Sequence, residues 1–263
     1  MKALINGINC AYTDEGKGMP VVFLHAFPLN RAMWAPQISA FTNHFRVITV
    51  DFRGHGESLP APGPSSVDEL ALDLKGLLDH LAIPQAVFVG LSMGGYVLFA
   101  LHRRHAERIK GLVLADTRAQ ADTDEGRAGR FAMIQTAESE GAGAIAEIMM
   151  PRLLSPASIQ SRPDLVEALR NIIMKTPVST ITADLRAMAD RPDSIPLLSK
   201  IDCPTLVLVG SLDQGTPPSD AQLMANAISG ARLHVIPGAA HLSNLEQPKT
   251  FNSALFSFLK SIQ

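Results

Sequence analysis

Cysteine is almost missing from this chain: there are two in 263 residues, Cys10 and Cys203, far apart and in no Cys-x-x-Cys pair. That excludes a disulfide-stapled scaffold, a zinc cluster and a redox dithiol, and leaves two small side chains expected to be buried. An excess of either charge is missing as well, with 23 Lys+Arg against 25 Asp+Glu. No basic field awaits phosphate backbones or anionic lipid, so neither a nucleic-acid nor a membrane partner is expected. No apolar run reaches the about 18 residues of a membrane span, and the first residues carry no signal-type apolar stretch, so a soluble, cytoplasmic protein is expected. Charged residues are scarce too, at 18% against 46% hydrophobic, a composition that favours a large packed core over disorder. The length suits one α/β domain with an insertion.

What is present is alternation. Residues 2–12 read as two short strands around Asn6-Gly7, a pair suited to a type I′ turn. Six apolar runs follow at 21–24, 47–50, 86–89, 112–115, 205–209 and 233–236. Runs without polar alternation suit strands covered on both faces. Helical patterns lie between them, the clearest placing Val67, Leu70, Ala71, Leu74, Leu77, Leu78 and Leu81 on one stripe behind a Ser66/Glu69 capping box. Strand and helix in this order predict an α/β protein with a mostly parallel, eight-stranded sheet flanked by helices. From about Arg118 to Ile201 no strand pattern appears, and helical stretches over 129–140, 143–150 and 163–174 are separated by Gly and Pro. The expected organisation is a core of residues 1–117 and 202–263, with 118–201 as a helical cap over the carboxyl edge of the sheet.

The strongest local signal is Gly90-Leu91-Ser92-Met93-Gly94, a G-x-S-x-G sequence between a strand run and a helical run that reaches about His105. At such a turn the glycines make room for tight backbone, the serine hydroxyl stands above the sheet, and the helix amino terminus favours negative charge. A serine hydroxyl is a weak nucleophile at neutral pH and needs an imidazole to take its proton and a carboxylate to orient that imidazole. Asp213, after the run 205–209, and His241, after 233–236, are the candidates, and Asp116 is the rival acid. The order Ser92, Asp213, His241 puts all three at one edge of a parallel sheet. Acyl transfer also needs two amides for the oxyanion, expected from Met93 and from Phe27 in His25-Ala26-Phe27-Pro28. His25 precedes the nucleophile and is expected to brace this loop.

Trp34, Met133 and Met149 are the expected pocket contacts, with core packing as the competing reading, and Met150 is a further adaptable side chain of the cap. Arg118, Arg127 and Arg130 are candidates for a substrate carboxylate, with solvated positions as the alternative. His102 and His105 lack a third ligand nearby and read as a solvated helix end, so no metal is expected.

On these motifs the chain resembles the α/β-hydrolases over essentially its whole length. Asp51-Phe52-Arg53-Gly54-His55-Gly56-Glu57-Ser58 resembles the family's D-x-R-G-x-G-x-S turn after the fourth strand. Within the family, Thr216-Pro217-Pro218 and His241-Leu242-Ser243-Asn244-Leu245-Glu246-Gln247-Pro248 resemble 3-oxoadipate enol-lactonases. Those enzymes commonly follow the sixth strand with Asn-Thr and a tryptophan, where this chain has Asp116-Thr117-Arg118. The resemblance implies an α/β-hydrolase fold with a helical cap, and a cofactor-free serine esterase or lactonase, monomer or homodimer, acting on a small ester or lactone. A serine where dehalogenases and epoxide hydrolases carry aspartate argues against those chemistries. A hydrolase-fold sensory or ligand-binding protein with little turnover, and a cofactor-free perhydrolase, are the competing functional readings.

Overall fold

In the computed structural model, which describes residues 1–60 and 65–263, the chain opens with the hairpin β1 (Lys2–Ile5) and β2 (Ile8–Glu15). Asn6 and Gly7 both have positive φ, 47° and 83°, as a type I′ turn requires. The six apolar runs become β3 (Pro20–Leu24), β4 (Arg46–Val50), β5 (Ala86–Leu91), β6 (Ile109–Ala115), β7 (Thr205–Gly210) and β8 (Arg232–Ile236). All eight strands join one sheet in the order β1-β2-β4-β3-β5-β6-β7-β8. The β1–β2 and β2–β4 pairs are antiparallel and the rest parallel. Because β3 lies between β4 and β5, the strand order reverses there, and their carboxyl ends open the crevice in which parallel sheets bind ligands.

Every residue of β5 and β7 is buried. The run at 233–236 departs from expectation: β8 is an edge strand, and of its five residues only Ile236 is fully buried. An apolar run has the same pattern in a central strand and at an edge, so only the pairing separates them.

Helices α1 (Ala35–Phe41), α2 (Val67–His80) and α3 (Met93–His105) connect the first strands. In α2 the apolar stripe is buried, and Ser66 Oγ accepts from Glu69 N at 3.2 Å. Between β6 and β7 lie α4 (Asp124–Leu153), α5 (Pro156–Ser161), α6 (Pro163–Lys175), α7 (Val178–Ala189) and α8 (Ile195–Leu198). A kink at Gly141, with φ 82° and ψ −177°, divides α4 into two arms. Helix α7 opens Val-Ser-Thr-Ile-Thr, four of the five β-branched and weak in helix propensity, yet it is helical because it packs on α4. The chain closes with α9 (Pro218–Ala227), α10 (Ser243–Glu246) and α11 (Pro248–Ser261).

Buried polar contacts tie the inserted helices to the rest. His55 Nε2 bonds Asp184 in α7 at 2.6 Å, Thr180 Oγ1 donates to Gly54 O at 3.3 Å, and the Arg191 guanidinium lies 4.2 Å from the Tyr96 ring centre. No helix among the described residues is long and apolar enough to cross a membrane.

Candidate active site

Ser92 is the single residue between β5 and α3, held at φ 56° and ψ −113°, where non-glycine residues rarely sit. Its N–H donates to Ala115 O at 3.0 Å, and its carbonyl accepts from Thr117 Oγ1 at 2.8 Å and Gly95 N at 2.9 Å. A Cβ on Gly90 would stand 2.6 Å from the Gly94 backbone, and one on Gly94 would stand 2.4 Å from Leu24 O. Both glycines of the motif are therefore required by close backbone approach.

Asp213 and His241 meet across 28 residues of sequence. His241 Nδ1 donates to Asp213 Oδ2 at 2.8 Å, and Thr216 Oγ1 donates to the same oxygen at 2.6 Å. Asp213 Oδ1 accepts from Gly215 N at 2.8 Å and Thr216 N at 3.0 Å. Burial works against the Asp213 charge, but the attraction of His241 and these hydrogen bonds outweigh it and hold the carboxyl below its usual range. Burial also works against an imidazolium, yet the charge and hydrogen bond of Asp213, with Asp116 behind them, hold His241 above its usual value. With Nδ1 donating, Nε2 is the nitrogen left to accept a proton. The rival acid bonds elsewhere: Asp116 Oδ1 accepts from Gly210 N at 2.8 Å, and Oδ2 accepts from the Ser243 hydroxyl.

A cavity of about 370 Å³ is lined by Ser92, His241, Phe27, Gly215 and Thr216 below and by Met133, Met149, Leu185 and Met188 of the inserted helices above. Among the described residues, neither the Phe27 nor the Met93 amide donates to a backbone carbonyl. His25 braces the Phe27 loop, since its Nε2 accepts from Phe52 N and its Nδ1 donates to Ala26 O, both at 3.0 Å. Burial, with His55 adjacent, holds His25 well below the ordinary histidine range and therefore neutral.

Trp34 is not a pocket residue. It is fully buried, its ring 5.1 Å from Phe23 of β3 and 6.2 Å from Phe251 of α11, because the turn at Arg31–Trp34 aims it between sheet and helix. Trp34→Ala is accordingly expected to cost about 3–5 kcal/mol in urea unfolding with KM unchanged. Unchanged stability with a raised KM would return Trp34 to the pocket.

The other side chains singled out in the sequence divide between agreement and departure. Met150 is buried but does not line the cavity. His102 is buried and neither ring nitrogen has a partner, so it is not solvated, because this face of α3 is covered. Cys10 is buried and Cys203 half-buried, and burial pushes the thiols up to about 12 and about 11, leaving them protonated and inert. Arg127 pairs with Asp190 at 2.6 Å, away from the cavity. Arg118 and Arg130 do line it, but Arg118 donates to Gly215 O and Arg130 pairs with Asp122. The cavity arginine that sequence reasoning missed is Arg152, which has no carboxylate partner among the described residues. Nothing in its local sequence separates it from a solvated helix end.

A family profile described as alpha/beta hydrolase fold matches residues 19–248. The chain is 34% identical over 253 residues to 3-oxoadipate enol-lactonase 2 of Acinetobacter baylyi, covering 96% of this chain and 93% of that one. It is similar to the structure of a thermophilic esterase from Thermogutta terrifontis with malate bound, at TM-score 0.95 and 40% identity, covering 100% of this chain and 98% of that one. The enol-lactonase from Burkholderia xenovorans gives TM-score 0.93 and 32% identity, covering 99% and 100%. The chain belongs to the α/β-hydrolase family, among the ester hydrolases that resemble 3-oxoadipate enol-lactonases.

Proposed function

We propose that the protein is a serine hydrolase of small carboxylic esters or lactones that works through an acyl-enzyme. The observation that carries this reading is the His241–Asp213 bond, set behind a cavity that Ser92 and His241 both line. His241 Nε2 takes the Ser92 proton as Oγ attacks the ester carbonyl, and the amides of Phe27 and Met93 hold the oxyanion. The imidazolium, held by Asp213, then protonates the leaving alkoxide. In the second half His241 takes a proton from water as its oxygen attacks the acyl carbon, then returns that proton to Ser92 Oγ as the acyl C–Oγ bond breaks and the carboxylic acid leaves.

Activity depends on pH with a definite sign. Only neutral imidazole accepts the serine proton, so kcat/KM rises as His241 deprotonates. Because Asp213 holds His241 above 6.5, the midpoint of that rise is expected above 6.5. Asp213 stays ionised throughout, since its own carboxyl is shifted down. A pH–rate profile with its acid-side midpoint at or below the histidine reference of about 6.5 counts against this assignment.

Residues 118–201 act as a cap in this reading. A cavity of about 370 Å³ lies toward the small end of ligand sites. The expected order of kcat/KM places p-nitrophenyl acetate, butyrate and small lactones above palmitate. A maximum at palmitate would mean that the inserted helices open as a lipase lid. Arg152 offers an anionic substrate a charged contact that the already bonded Arg118 and Arg130 do not.

A further inference from the structure

The end of β6 touches all three functional loops. Ala115 O and Thr117 Oγ1 hold the Ser92 backbone, at 3.0 Å and 2.8 Å. Asp116 reaches the other two loops. Its Oδ1 accepts from Gly210 N, at the root of the Asp213 loop, at 2.8 Å, and its Oδ2 accepts from the hydroxyl of Ser243, two residues beyond His241. Its own N–H donates to Leu208 O at 2.9 Å. The side chain is fully buried and the backbone has φ 43°, a region that Asp and Asn enter more readily than other side chains. The reaction described above makes no use of this carboxyl.

We propose that Asp116 is a positioning residue, a buried carboxyl that clamps the loop bearing Asp213 to the loop bearing His241 and so sets the geometry in which the acid holds the base. This rests on the reading of Ser92, His241 and Asp213 as the reacting groups. The ionisable groups facing Asp116 are Asp213 and His241, on the loops after β7 and β8. The neighbouring strands β5 and β7 contain no ionisable side chain. Glu246 in α10 is committed to Ala240 N and Ser155, and Arg118, two residues on, is bonded to Gly215 O. Burial and the Asp213 charge push the Asp116 carboxyl well above the usual carboxylate range, whereas Asp213 is held below it. Asp213 is then the anion that faces the imidazolium.

Asparagine is a neutral isostere whose Oδ1 accepts from Gly210 N and whose Nδ2 donates to Ser243 Oγ. Asp116→Asn is expected to keep kcat for p-nitrophenyl acetate at pH 7 within about threefold of wild type. Asp116→Ala removes both arms of the clamp, and Ser243→Ala removes one without altering the residue at φ 43°. Each is expected to lower kcat roughly 10- to 100-fold with KM within about twofold. A wild-type kcat in Asp116→Ala or in Ser243→Ala overturns the proposal. Labelling with a fluorophosphonate separates the two readings. Wild-type enzyme that hydrolyses esters without labelling at Ser92 overturns the triad and the clamp together. Labelled wild type whose variants behave like it overturns the clamp alone.

Discussion

Replacing Ser92 by alanine is expected to lower kcat for ester hydrolysis by about 10⁴-fold or more, with the far-UV spectrum and thermal midpoint those of the wild type. The loss is large because nucleophile and base act as a unit: without Oγ, the imidazole has no proton to take and no acyl-enzyme forms. The fold survives because the turn is held by backbone. Ser92 N to Ala115 O, and Thr117 Oγ1 and Gly95 N to Ser92 O, are bonds that the side chain does not make. Ser92→Gly carries the test further. Glycine enters φ 56°, ψ −113° without a Cβ clash, so this variant is expected to be equally inactive and about 1 kcal/mol more stable. A folded Ser92→Ala protein with near-normal turnover would sink the mechanism.

Asp213→Asn is expected to lower kcat by about 10³- to 10⁴-fold. Gly215 N, Thr216 N, the Thr216 hydroxyl and His241 Nδ1 all donate to this carboxylate. With Oδ1 held by the two backbone amides, the NH₂ takes the place of Oδ2 and faces His241 Nδ1, which accepts from it only in the other tautomer. His241 then carries its proton on Nε2, toward Ser92, and can no longer act as base. Asp116→Asn meets no such conflict, because a neutral group with one acceptor and one donor suits Gly210 N and Ser243 Oγ. The two asparagine variants therefore differ by about three orders of magnitude at pH 7. A more damaging Asp116→Asn would reverse the assignment of the acid.

The parts of the molecule legible in sequence are those written in local geometry. The close approaches at Gly90 and Gly94 leave space for nothing larger than hydrogen, so the elbow appears as letters in the sequence. The turn at Asn6-Gly7 needs two positive φ values, and the stripe of α2 needs only a helical period. Side-chain direction across the tertiary structure has no such local mark. Trp34 follows the Phe27 loop in sequence as a pocket residue would, yet it lies against Phe23 and Phe251. Arg152 reads like any basic residue near a helix end, yet it lines the cavity.

By itself the sequence determined the alternating strands and helices and the tight G-x-S-x-G turn, and it favoured Asp213 over Asp116 as the acid. Those features follow from steric limits and hydrophobic periods that act within a few residues. The tertiary structure decided which carboxylate faces His241, which strand lies at the edge of the sheet, and which side chains of the inserted helices reach the cavity. Asp116 and Asp213 both sit just beyond a strand's carboxyl end, and the loop motif that favours Asp213 does not itself fix where either side chain points. Only strand pairing and loop packing bring Asp213 Oδ2 within 2.8 Å of the imidazole and turn Asp116 toward Gly210 and Ser243. Hydrogen bonds between groups tens of residues apart depend on how the elements pack, and that packing is a property of the whole chain.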